Sequence, residues 1–174
     1  MLTFRQRFDG KFDEPSLNTF LNPYSYLIAR KMPNLFSKFN VYPDGILLVI
    51  FLYLFFLNTC KRQSFDMTSL AKDVFEFAEQ HKRSVYLIGT EERYIIDAVT
   101  NIADMYPKLN ISGFRNGFFN NDADRSKALT DIYELSPDIV IVGLGTPSQE
   151  QFLFDLWTIG WRGVGFTCGG TTVR

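Results

Sequence analysis

The stretch with the most chemical content is Gly143-Leu144-Gly145-Thr146-Pro147-Ser148-Gln149-Glu150. Before it, the β-branched run 139–142 reads as a strand apolar on both faces, the mark of a covered parallel sheet. Gly143 and Gly145 end that strand and allow a tight turn with close approach of a ligand to the backbone. Thr146, Pro147 and Gln149 then spell a helix start, with Thr as N-cap, Pro at the first helical position and Gln to close a capping box. Unpaired N–H groups at such a turn suit an anion. The plainer reading is that every strand-to-helix connection needs a turn of this kind.

Two further breaks place polar residues where the backbone bends. Asn22 precedes Pro23, which pushes it out of the helical region. There it caps the helix that follows or presents its amide to a ligand. Asp44 stands in Pro43-Asp44-Gly45, a strong turn signal at the end of a short extended segment, where an Asx turn is the usual role of the carboxylate.

The elements that must position these residues alternate regularly. Met67, Leu70, Ala71, Val74 and Ala78 recur at helical spacing and predict an amphipathic helix over 66–80. Short strands follow at 85–89, 109–114 and 163–167. Between them lie a helix opened by Thr90-Glu91-Glu92, a helix over 124–135, and one carrying Phe152, Leu153, Leu156 and Trp157. Acidic residues after Thr90 already satisfy that helix dipole, so it is a poorer phosphate site than the turn after Gly145. The alternation specifies an α/β fold, a Rossmann-like parallel sheet flanked by helices in a single domain. Ligands bind such sheets at the C-terminal strand ends. Gly89, Gly117, Gly143, Gly145 and Gly169 all follow predicted strands at that edge. Residues 46–57 hold no charge, yet the run falls short of the ~20 apolar residues a membrane span needs. A buried core helix is preferred over an interfacial one. Apolar all round, it must be covered on most sides or touch lipid or a partner.

Composition narrows the function. A chain of 174 residues with 46% hydrophobic and 21% charged residues is one globular domain with a real core. Eighteen basic and nineteen acidic residues leave a net charge of −1, so no global field favours nucleic acid. Cys60 and Cys168 fit no metal or disulfide spacing, as expected in a reducing compartment. The only histidine, His81, falls near a helix C-terminus, where the dipole accounts for it. The first fifteen residues are charged and lack the apolar core of a signal peptide. Gly143-x-Gly145-x-x-Ser148 lacks the third glycine of the dinucleotide fingerprint, and the strand ending at Thr167-Cys168 lacks its acidic partner. That argues against a nicotinamide-dependent oxidoreductase. The sequence has no Walker loop, serine nucleophile elbow, zinc triad or paired-carboxylate motif. The residues themselves lead to a Rossmann-like domain that binds something phosphorylated.

Taken in order, Asn22-Pro23, Pro43-Asp44-Gly45, residues 85–89, Tyr106-Pro107, residues 113–117 and Pro137-Asp138 through Glu150 resemble the WecG/TagA/CpsF glycosyltransferases, which build bacterial surface polysaccharides. The resemblance covers residues 17–170 and is most specific in Gly-x-Gly-x-Pro-x-Gln-Glu. It implies an inverting transfer of N-acetylmannosamine or a related hexosamine from a UDP-sugar to a polyprenyl-diphosphate-linked acceptor, without metal or cofactor. By position, Asp44 resembles the general base and Asn22 the amide near the reacting sugar. Gly143, Gly145, Pro147, Gln149 and Glu150 resemble the donor-side turn, with Gly89 and Gly117 on the same edge. The implied partners are a nucleotide-sugar donor and a lipid-linked acceptor at the membrane surface, not nucleic acid. The implied location is the cytoplasm, peripheral on the inner face of the cytoplasmic membrane.

Two departures stand out. Where some members carry Thr two residues before the Asn, this chain has Phe20, with Thr19 one place off. The family also continues past the last strand with an aspartate-containing segment, a further helix and a basic part, whereas this sequence ends at Gly169-Gly170-Thr171-Thr172-Val173-Arg174. The expected organisation is an N-terminal part over 1–60 and an alternating part over 61–174, C-terminally truncated relative to the family. Uncovered apolar surface beside the last strand then predicts a folded, nearly inactive form that self-associates as a homo-oligomer. The competing readings are a relative that only binds nucleotide and a membrane-surface interaction module built on residues 46–57.

Overall fold

The computed structural model describes residues 2–56 and 61–168; Leu57, Cys60 and the expected turn at Gly169-Gly170 lie outside the described residues. Six strands form one parallel sheet: Ser16–Leu21 (β1), Asn40–Pro43 (β2), Ser84–Gly89 (β3), Asn110–Arg115 (β4), Ile139–Gly143 (β5) and Val164–Thr167 (β6). Their spatial order is β2-β1-β6-β5-β3-β4. The described helices are Pro23–Ala29 (α1), Pro33–Phe36 (α2), Ile46–Phe56 (α3), Leu70–Gln80 (α4), Glu92–Met105 (α5), Asp122–Leu135 (α6) and Ser148–Thr158 (α7). The expected α/β architecture is therefore the one observed. The N-terminal part supplies β1 and β2, and β1 pairs with β6, so a single sheet runs through both parts of the chain.

Burial on both faces explains why β5 has no polar alternation. Ile139 and Ile141 enter one layer with Val74 and Phe75 of α4 and Ile95 of α5, whereas Val140 and Val142 enter the other with Phe152, Leu153 and Leu156 of α7. Successive side chains leave a strand on opposite faces, so both sets must be apolar when both faces are covered. At the N-terminal end of the sheet, the Asp138 carboxylate accepts from the Ser84 N–H and hydroxyl, each at 2.8 Å, and from Arg83 at 3.1 Å. These bonds hold the starts of β3 and β5 together and leave the opposite edge free for a site.

Two expectations change. Residues 46–56 are helical, but of the described α3 side chains only Leu48 and Leu52 are deeply buried, and most of the others reach the surface. The helix follows β2, the edge strand, where the sheet has no further strand to pack against it. The helix expected from residue 66 begins at Leu70, because the Asp66 carboxylate accepts from the Thr68 N–H and hydroxyl and the Ser69 hydroxyl, holding residues 66–69 in a turn.

Close packing of strand ends gives a direct test. A Cβ on Gly89 would stand 2.7 Å from the Gly143 carbonyl oxygen, a backbone atom that cannot swing away. Gly89→Ala should lower stability by about 1–3 kcal/mol, as overpacking does. Chemical denaturation measures it, and a wild-type midpoint would mean that the β3 and β5 ends separate more easily than this packing implies.

Candidate active site at the C-terminal edge of the sheet

Because every strand is parallel, all strand C-termini lie along one edge, and the residues singled out in the sequence collect there. Leu21 and Pro43 are register partners, and the Asp44 N–H donates to the Leu21 carbonyl at 2.8 Å. Asn22 and Asp44 thus follow adjacent strands. Beyond β6 comes the end of β5 with Gly143 and the turn at Gly145, then Gly89 at the end of β3 and Gly117 after β4.

Asp44 is half-buried and stands 3.7 Å from Arg62 Nε. Burial raises its carboxyl above the ordinary 3.8, against the opposing pull of Arg62 and Ser64. No side-chain hydrogen bond from Asp44 to its own turn is present among the described residues, so the carboxylate does not close an Asx turn. Asn22 does cap: its Oδ1 accepts from the Ser25 N–H at 2.9 Å, and the Asn22 N–H donates to the Ser25 hydroxyl at 2.8 Å. The Asn22 residue is exposed, and its amide nitrogen has no partner among the described residues.

The glycines divide by what surrounds them. A Cβ on Gly117 would lie 2.6 Å from Leu144 Cδ2, and one on Gly143 would lie 2.9 Å from Cys168 Sγ. With Gly89 these positions are small so that strand-end loops can pack on one another. The Gly117 N–H also donates to the Thr90 carbonyl at 2.8 Å, tying the β4 loop to the β3 loop. Gly145 differs: its φ is +77° and a Cβ added there would meet nothing within 4 Å, so the backbone faces open space.

The helix after Gly145 starts one residue later than expected. Pro147 is the N-cap, not the first helical residue, and no side chain caps it. The reason is that the Thr146 hydroxyl donates to Glu150 Oε1 at 3.2 Å instead of serving the helix N–H groups. Gln149 closes no capping box, because its Nε2 reaches Thr146 Oγ1 at 3.3 Å and Glu150 Oε1 at 3.2 Å. Both side chains point inward: Gln149 is 2% exposed and Glu150 is 0% exposed. The turn therefore offers backbone to solvent, with Gln149 and Glu150 beneath it.

Glu150 anchors a cluster that the sequence reading missed. Thr19 Oγ1 donates to Glu150 Oε1 at 2.7 Å, and Thr167 Oγ1 donates to Thr19 Oγ1 at 2.9 Å, all three residues being fully buried. The available signal was Thr19 between Leu17 and Leu21 at every second position of the strand. Thr19 shares the face of Leu17 and Leu21 toward α7, whereas Phe20 points into the opposite layer and stacks on Tyr42 at 5.4 Å. Glu150 Oε2 and Gln149 Oε1 have no partner among the described residues. Among the described residues no group of three or more His, Cys, Asp or Glu could hold a metal ion. Burial pushes the Cys168 thiol up to about 12, which rules it out as a nucleophile at neutral pH.

Burial likewise raises the Glu150 carboxyl above its ordinary 4.5, opposed by its hydrogen bonds from Thr19, Gln149 and Thr146. The folded protein holds this proton more tightly than the unfolded chain. The stability it contributes is complete below the ordinary value and is lost as pH rises through the folded one. Glu150→Gln should therefore lose less stability than wild type as pH rises above the ordinary 4.5. Parallel profiles in differential scanning calorimetry would refute the assignment.

Comparisons with known proteins point the same way. Residues 6–172 match the Glycosyl transferase WecG/TagA/CpsF family. Over 152 residues the chain is 38% identical to a UDP-Gal:alpha-D-GlcNAc-diphosphoundecaprenol beta-1,4-galactosyltransferase of Shigella boydii, covering 87% of this chain and 64% of that protein. It is 28% identical over 131 residues to an N-acetylglucosaminyldiphosphoundecaprenol N-acetyl-beta-D-mannosaminyltransferase of Bacillus subtilis (strain 168), covering 75% of this chain and 49% of that one. The chain thus spans between half and two thirds of the length of these relatives. With the family matched across nearly the whole sequence and its motifs gathered on one sheet edge, the chain belongs to the WecG/TagA/CpsF family of glycosyl transferases.

Proposed function

We propose that the protein transfers a hexosyl group from a UDP-sugar to a polyprenyl-diphosphate-linked N-acetylglucosamine, with inversion at the anomeric carbon. The observation that carries this reading is the half-buried Asp44 carboxylate on the same sheet edge as the open turn at Gly145. Three strand spacings separate β2 from β5, about 14 Å, a span suited to a sugar diphosphate and an acceptor hydroxyl. The backbone of residues 145–148 holds the donor diphosphate, the unpaired N–H groups at the start of α7 facing its charge. The acceptor hydroxyl attacks the anomeric carbon, Asp44 takes its proton, and the bond to the diphosphate breaks with its electron pair leaving on the nucleotide. Arg62 keeps Asp44 ionised against the burial that favours its protonated form. The Asn22 amide, fixed by the α1 cap, is in place to orient the reacting sugar.

The higher identity to a galactosyltransferase favours UDP-galactose over UDP-N-acetylmannosamine as donor. The work is then done at a membrane surface, since a polyprenyl acceptor is membrane-resident; no described helix is long and apolar enough to cross a membrane.

Asp44→Asn should reduce kcat by about 10²–10⁴-fold, the usual cost of losing a general base, with UDP affinity unchanged. Wild-type turnover should fall on the acid side as Asp44 takes up its proton, with a midpoint above the ordinary 3.8. A variant that turns over at the wild-type rate would return Asp44 to a structural role. Gly145→Ala fills the open space above the turn and strains the left-handed φ, a cost of about 1 kcal/mol that the fold tolerates. Calorimetric titration should show UDP binding lost in that variant and no NAD binding in either protein; unchanged UDP affinity would refute the placement of the diphosphate.

A further inference from the structure

α4 and α5 cover the sheet face opposite α7 and leave between them a cavity of about 660 Å³. Its floor is Leu87 of β3 and Ile141 of β5, and its walls carry Ala71 and Phe75 of α4 and Ala98 and Ile102 of α5. All six are buried, so the hollow reaches down to the sheet. Ala71 and Ala98 are too small to fill the space between the two helices. Neither Asn22, Asp44 nor Gly145 lines this cavity, which is therefore separate from the candidate active site.

The α5 wall carries two lines of side chains at helical spacing. Tyr94, Ala98, Ile102 and Met105 form the apolar line, and Asp97, Asn101 and Asp104 form the lip beside it. Those three lip residues are exposed, and their side chains have no hydrogen-bond or ion-pair partner among the described residues. Asp66 adds a third carboxylate from the other side. No lysine, arginine or histidine lines the cavity, and Arg93, one turn before Asp97, forms no ion pair with it among the described residues.

This combination selects the occupant. A neutral hydrocarbon would strip water from the lip carboxylates and give nothing in return. One metal ion cannot bridge Asp97 and Asp104, which lie about 10 Å apart along the helix axis. Among the described residues, no group of three or more His, Cys, Asp or Glu could hold such an ion. An apolar chain with a positive charge at each end meets both the floor and the lip. Along the axis Asp97 and Asn101 stand about 6 Å apart, and Asn101 and Asp104 about 4.5 Å. A linear triamine with one butylene and one propylene segment spaces its nitrogens about 6 and 5 Å apart.

We propose that the cavity between α4 and α5 binds a linear polyamine. Its methylenes lie on the apolar floor, its terminal ammonium groups meet Asp97 and Asp104, and its central ammonium donates to the Asn101 side-chain oxygen. Tyr94 supplies an aromatic ring one turn from Asp97, suited to the ammonium held there. The site stands independently of the transferase reading, and its test uses no transfer assay.

Calorimetric titration with spermidine tests it, beside putrescine, magnesium chloride and 1,8-octanediol. Spermidine should bind at least about tenfold more tightly than putrescine, which is too short to reach both carboxylates, and than the ion or the diol, which each supply half of the chemistry. Asp97→Asn with Asp104→Asn, both at exposed positions, should weaken spermidine about tenfold or more and leave the thermal melt unchanged. Removing the same charge from α6, by Asp122→Asn with Glu134→Gln, should leave spermidine affinity as it is. Ala98→Leu fills the cavity and should abolish binding in a protein that still melts cooperatively. Absence of spermidine binding would overturn the proposal, as would equal affinity for magnesium or the diol. So would equal losses in the α5 and α6 variants, which would mean only a diffuse cloud of counterions. A dimer in gel filtration that Ala98→Leu dissolves, with no spermidine bound, would also overturn it and give the cavity to a second copy.

Discussion

The hydrogen-bonded chain Thr167–Thr19–Glu150 sits where the N-terminal strands meet the rest of the sheet. β1 is held to β6 by backbone pairing, and α7 is held against β1 by the Thr19 bond to Glu150. A buried carboxylate costs free energy unless hydrogen bonds replace its water, and three donors converge on Glu150 Oε1 to do so. One of those donors, Thr146, belongs to the strand-to-helix turn. The same carboxylate therefore joins the two parts of the chain and shapes the turn through which an anion would be held.

That arrangement divides labour along the edge. Gly89, Gly117 and Gly143 are small because loops from β3, β4 and β5 pack on one another, which makes the edge rigid. Gly145 alone of these four glycines opens to solvent. A site needs both properties: supporting loops that do not yield, and one stretch of backbone left bare. On the far side of β6, Asp44 and Asn22 are placed by backbone hydrogen bonds at adjacent strand ends, so their spacing follows from the sheet and not from loop conformation.

The edge position of β2 has a second consequence. An interior strand would have placed α3 between neighbours, but at the sheet edge only one stripe of it can be buried. A helix apolar all round then keeps an apolar outer face next to the carboxylate. Sheet topology thus sets a greasy surface and a polar site side by side.

Strands β3 to β6, the parallel sheet and the edge holding the motifs were legible in the sequence, because a strand buried on both faces has no polar alternation and a tight βα turn needs glycine; β1, with buried Asn18 and Thr19, was not. Asp44 was legible as a chemical residue only through family resemblance, since Pro-Asp-Gly by itself describes a turn; its burial beside Arg62 and Ser64 depends on residues brought near by folding. The inward direction of Gln149 and Glu150 was not legible either. Whether a polar side chain at a helix start faces solvent or core depends on what lies beneath it, and that is Thr19, 131 residues away. The exposure of α3 escaped for the same reason: periodicity distinguishes one-sided helices, but in a helix without a polar face only the neighbouring strands decide which stripe is buried. Local sequence settles backbone form through turn chemistry and hydrophobic period, whereas side-chain surroundings are set by contacts between segments distant in the chain.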